Sequence, residues 1–235
     1  METQYLQLNY KTGNFFHKIK EAKEGYEHTV TEFDGKRFES YRKEYNRPLK
    51  GTLTSVGVNA QKFGTSITLS IRDEENGVTY VPQVNLHDKW KNIAGDYTES
   101  LIRKLPNLNK GDQVEFGAYK FTPDDSKYER RGVYFKVNGE KVKDAIFPSY
   151  YKEGELVENE IPAVRWEKKA FGDGMEPNAQ DQIERNKYLE QFLKKEIDRL
   201  EYKKGEENPV ETEKEIKPVS PEEAFGVGEE DDLPF

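Results

Sequence analysis

Cysteine is absent from the 235 residues. No disulfide can form, no thiolate can ligate a metal, and nothing marks an oxidising compartment. Histidine is scarce: His17, His28 and His87 are the only ones and stand far apart in sequence. No His-Glu-x-x-His pair, no phosphate-binding Gly-x-x-x-x-Gly-Lys loop and no glycine–serine elbow occurs. Asp124-Asp125 is explained by a polar loop. A carboxylate metal site is the one catalytic alternative that composition leaves open. The expectation is a protein that is not an enzyme and takes no cofactor. There is no long apolar run, so neither a signal peptide nor a membrane span is expected, and the expected location is the cytoplasm. Apolar residues make up 34% and charged residues 35%. Domains typically carry about 25% charge, so part of this chain is expected to stand outside any core.

The net charge of -8 is unevenly placed. Residues 205–235 hold 11 Asp/Glu and 2 Lys/Arg, a net of -9, which leaves 35 basic and 34 acidic residues in 1–204. The body is thus near neutral and the acidity belongs to the tail. With Pro209, Pro218 and Pro221 among its acids, the tail is expected to be a disordered linker.

Within the body, residues 1–48 are rich in rings and charge. Leu6, Leu8 and Tyr10 alternate with polar residues as in a short strand, and residues 11–14 suit a turn. Residues 36–48 interleave Arg42 and other cations with Phe38, Tyr41 and Tyr45. Such a stretch suits a nucleic-acid strand, since cations neutralise phosphates and rings stack on bases. A surface hairpin whose rings pack down is the plainer alternative. This region is expected to be an extension packed on a barrel.

Residues 49–147 carry the clearest pattern. Strands are expected at 49–58, 65–72 and 78–86, with Asn76-Gly77 as a hairpin turn and Pro82 at an edge or bulge. A helix is expected over 96–105, where Tyr97, Leu101, Ile102 and Leu105 share a face. Strands follow at 113–121 and 132–137, and a short one at 142–147. Three strands, a helix and two strands is the order of an OB-fold, a five-stranded Greek-key barrel. Another small β-barrel or a sandwich fits the same string. Residues 148–204 read as an irregular segment followed by an amphipathic helix over 181–204. Its apolar stripe of Ile183, Leu189, Phe192, Leu193, Ile197 and Leu200 suits docking on the body, with self-association as the alternative.

The chain closes on Asp231, Asp232, Leu233, Pro234 and Phe235 after two further glutamates. Pro234 holds Leu233 extended, so Leu233 and Phe235 become two apolar anchors behind a run of charge. A solubilising tail has no need of such an ending. The segment resembles the C-terminal tip of bacterial-type single-stranded DNA-binding proteins, an acidic stretch ending in Asp-Ile-Pro-Phe, with Leu233 in place of the isoleucine. The likeness covers the tip alone. It implies an OB-fold body that binds the strand and a tip that recruits replication, recombination and repair proteins. The long N-terminal region and the helix depart from the compact bacterial type and fit a phage-encoded member, acting in the host cytoplasm.

On that reading the outward residues Tyr119, Phe121 and Tyr134 are expected to stack on bases, with Lys50, Arg72, Arg130, Arg131 and Lys136 near phosphates. Trp90 is expected in a loop closing over the strand or, equally, in the barrel end. Tyr41, Arg42 and Tyr45 extend the expected surface. A bulge at Gly117 would exchange Tyr119 and Phe121 for Lys120.

Overall fold

The computed structural model describes residues 1–33, 35–61, 64–87, 93, 95–124, 126–169 and 173–201. The first four strands are β1 (Glu2–Asn9), β2 (Asn14–Ile19), β3 (Glu27–Phe33) and β4 (Lys36–Tyr45). Then come β5 (Leu49–Gln61), β6 (Gly64–Asp73), β7 (Val78–Asn85), α1 (Gly95–Ile102), β8 (Gln113–Phe121), β9 (Arg130–Val137) and β10 (Glu140–Lys141). All ten strands join one sheet in the order β10-β9-β8-β5-β6-β7-β1-β2-β4-β3. Residues 1–48 are therefore continuous with the sheet.

Alternation along the strands decides which face is buried. Leu6, Leu8, Phe15, Ile67, Leu69, Ile71, Phe116 and Phe135 all fall on one face and are buried. The Phe15 ring lies 5.3 Å from Phe116, which lies 4.5 Å from Phe135. Strands β2 and β8 are distant in hydrogen-bonding order, so the sheet curls to bring them over a shared core. Its ends, β10 and β3, do not pair with each other, and no closed barrel forms among the described residues. The reason lies at β7. Its free edge takes β1 in parallel, from Glu2 on Val78 to Gln7 on Gln83. The outer edge of β9 is met by α1, whose Ser100 hydroxyl donates to the Val133 carbonyl at 3.3 Å and accepts its N–H at 3.2 Å.

Pro82 lies on an inner strand, not an edge. Opposite it the β6–β7 ladder lacks its bridges at Leu69 and Ser70 and resumes at Ile71, in unchanged register. The missing N–H thus costs a local gap. In β5 the pairing with β6 shifts register between Leu53 and Ser55. Residues 142–147 do not form the expected strand. Val142 and Ile146 are buried there, while Asp144 receives Lys104 at 2.5 Å and pairs with Arg103.

Two short hairpins follow: β11 (Tyr150–Lys152) with β12 (Glu155–Val157), and β13 (Trp166–Lys168) with β14 (Met175–Pro177). Helix α2 (Ala179–Glu201) then docks on the body through Leu189, Leu193 and Leu200. Ile183, expected in that stripe, is instead exposed. Arg185 pairs with Glu99 of α1 at 2.7 Å. Arg199 donates to the carbonyls of Leu105 and Leu108 at 2.7 and 2.9 Å, the first of which also accepts the Leu108 N–H at 3.1 Å. Among the described residues no helix is long and apolar enough to cross a membrane.

Candidate nucleic-acid interface

Strands β8 and β9 run antiparallel without a register shift from Val114 on Val137 to Phe121 on Arg130. No bulge forms at Gly117, so Glu115, Gly117, Tyr119 and Phe121 share the outward face with Arg130, Gly132, Tyr134 and Lys136. Cross-strand partners arrange this face in rows. Lys50 and Lys136 flank Glu115, then come Gly117 with Tyr134, Tyr119 with Gly132, and Phe121 with Arg130. Rows two residues apart along a strand are separated by about 6.8 Å. Three rings therefore form a strip with cations at both ends.

The glycines shape that strip. A Cβ on Gly117 would lie 2.6 Å from the Tyr134 hydroxyl, and one on Gly132 would lie 2.7 Å from the Tyr119 hydroxyl. Each tyrosine lies across the backbone of the facing strand, in space that a side chain would fill. The facing backbone covers part of each ring, and both tyrosines remain partly exposed. Burial raises the pKa of both hydroxyls, so both stay protonated. Phe121 continues the strip, with its ring 5.9 Å from that of Tyr119.

The cations are partly committed. Glu115 holds Lys50 at 2.8 Å and Lys136 at 3.3 Å, and these hydrogen bonds draw its carboxyl below the usual range. Two lysines on one carboxylate leave a net positive charge. Arg131 lies on the other side of the sheet, where Glu129 joins it and Lys120. Arg130 is exposed at the end of the strip and Arg72 is exposed on β6.

Arg72, Lys50 and Tyr45 meet elsewhere, in a groove of about 700 Å³ that Arg47, Tyr80 and Glu74 also line. Tyr45 is not free to stack. Its hydroxyl donates to Gln4 at 2.5 Å, its ring packs edge-on to Tyr80 at 5.8 Å, and burial raises its pKa far above the usual range. Arg42 lies 3.8 Å over the Phe16 ring and pairs with Glu44 at 2.6 Å, so its charge and one face are already used. Tyr41 packs against His28 at 5.2 Å. Tyr41 and Arg42 are therefore engaged within the N-terminal strands, while Tyr45 borders the strip by lining a small pocket with Gly117 and Tyr134. Trp90 and Asp231, Asp232, Leu233, Pro234 and Phe235 lie outside the described residues.

A second ring-lined surface escaped the sequence reading. Tyr150, Tyr151 and Trp166 stand with Pro148, Pro177 and Arg165 around a cleft of about 920 Å³ beside the first turns of α2. Trp166 is 64% exposed. Arg165 holds this wall in place through two hydrogen bonds of 2.7 Å to Asp181. The signal available in sequence was a set of aromatics scattered through a segment without periodicity, which says nothing about convergence.

Comparison with protein-family models, curated proteins and solved structures finds no match to this chain.

Proposed function

We propose that the protein binds single-stranded DNA with little sequence preference, serving replication, recombination and repair. The observation that carries the reading is the Tyr134–Tyr119–Phe121 strip, laid over facing glycines and bounded by Lys50, Lys136 and Arg130. An outward ring can stack on any base, worth about 1–3 kcal/mol each, and stacking does not read sequence. The strand order β9-β8-β5-β6-β7, with α1 between β7 and β8, supports an OB-type core in which β1 occupies the free edge of β7. The segment Asp231–Phe235 is the proposed docking tip for replication and repair proteins, by its resemblance to the tips of bacterial-type single-stranded DNA-binding proteins. The test is a titration of the full chain with oligo-dT, duplex DNA and RNA at low salt. Preference for oligo-dT, lost in a Tyr119→Ala/Tyr134→Ala double variant, is the expected result. Equal affinity for duplex, or none for oligo-dT, would overturn the reading.

The cleft of Tyr150, Tyr151 and Trp166 favours a second reading, a protein-interaction adaptor. Aromatic and proline walls suit extended peptides. It predicts no affinity for oligo-dT.

A further inference from the structure

We propose that β3 is a dimerisation edge, at which two copies of this chain pair their β3 strands antiparallel about a twofold axis through Val30. The two ends of the sheet are treated differently. At one end β10 is only two residues long, and the edge of β9 beyond it meets Ser100. At the other end β3 runs seven residues, and no described residue pairs with its outer side. Proteins blunt such an edge with lysine, proline or a bulge. Strand β3 reads Glu-His-Thr-Val-Thr-Glu-Phe and pairs with β4 in unbroken register from Glu27 to Phe33. It has no lysine, proline or bulge, and the charges on it are Glu27 and Glu32, of which Glu32 is the one that His28 of a second copy would meet.

The outward groups follow from the hairpin. Phe33 pairs with Lys36 across two residues, which makes theirs a hydrogen-bonded pair. Hydrogen-bonded pairs alternate with the other kind in an antiparallel ladder. His28, Val30 and Glu32 therefore aim N–H and C=O away from β4. An axis through Val30 uses all three, because Val30 then faces the partner's Val30 and His28 faces the partner's Glu32, twice by symmetry. Thr29 faces the partner's Thr31. An axis one residue to either side sets Val30 against His28 or against Glu32 and loses the imidazole–carboxylate pairing. That self-complementarity selects a second copy over another peptide. Val30 is 43% exposed and adds apolar surface at the centre of the seam. A single strand pair buries far less than the roughly 1,600 Å² of a standard interface, so the dimer should form only at high concentration.

The test needs no DNA, so it stands or falls apart from the proposed function. Sedimentation equilibrium of the full chain, up to several hundred micromolar, should show mass rising from one copy towards two. Val30→Pro removes an outward N–H while keeping the bonds to β4, and Val30→Glu sets like charges face to face. Both should remain monomeric with an unchanged circular dichroism spectrum. The chain has no cysteine, so single thiols report the register. Under copper phenanthroline with dissolved oxygen, Val30→Cys should cross-link to its copy. Glu27→Cys should not, since its copy would lie about 20 Å away. A monomer at every concentration would overturn the proposal. So would dimerisation unaffected by both Val30 variants, or Glu27→Cys linking as fast as Val30→Cys.

Discussion

At the scale of single residues, Gly117 and Gly132 do more than weaken two strands. Each gives up a side chain so that a tyrosine from the facing strand can lie on the backbone. Gly117→Ala must push the Tyr134 ring away, and such overpacking typically costs about 1–3 kcal/mol. On the proposed function it should also weaken oligo-dT binding, read by fluorescence anisotropy, although Gly117 touches no base. Tyr119→Ala should lower affinity about 5- to 150-fold, the equivalent of one stacked ring. Asp181 offers a separate prediction. Hydrogen bonds from Arg165 lower its pKa from 3.8 to about 2. The folded state thus favours the charged form. The stabilisation is complete above pH 3.8 and is lost as the pH falls through about 2. Trp166 adjoins Arg165, so tryptophan fluorescence should report loosening of the hairpin in that window, and Asp181→Asn should remove the transition.

At the scale of elements, α2 is bound to the body by an apolar stripe and two arginines. Leu193 is buried against the core, and Leu193→Ala should cost about 2–5 kcal/mol in chemical denaturation. Arg199 acts differently. Its guanidinium donates to the Leu105 and Leu108 carbonyls, and Leu105 keeps the Leu108 N–H, so Arg199→Ala takes the arginine donor from the Leu108 carbonyl, a penalty of about 1–3 kcal/mol. The helix was legible because its stripe repeats at helical spacing. Ile183 misled because periodicity shows which residues share a face and not how far along the helix the partner surface extends. Strand β8 was legible to the residue, from Gln113 to Phe121, since alternation and flanking turns agree there.

At the scale of the whole molecule, charge is divided between a near-neutral body and a tail that carries the acidity. If the tail competes with DNA as a tethered polyanion, deleting Glu229–Phe235 should keep or strengthen oligo-dT affinity and abolish partner recruitment. Weaker DNA binding after the deletion would sink the competition idea. Affinity of the body should fall with added salt, with a log–log slope of about 0.7 per phosphate neutralised. Removing Lys50 or Lys136 should reduce that slope while leaving the stacking contribution in place.

The sequence by itself determined the local order of the central part: strands β5 to β9 with their turns, the two helices, the sorting of apolar residues to one face, and the concentration of acidity in the tail. These follow from periods of 2 and 3.6 residues and from glycine, proline and charge, all of which act over a few residues. The tertiary structure decided what long-range pairing decides. It set β1 beside β7 and joined residues 1–48 to the main sheet. It withdrew Tyr45 and Arg42 into contacts with Gln4, Phe16 and Glu44. It gathered Tyr150, Tyr151 and Trp166 around one cleft. Residues far apart in the chain meet only when the whole sheet has curled, and no local pattern records which of them will.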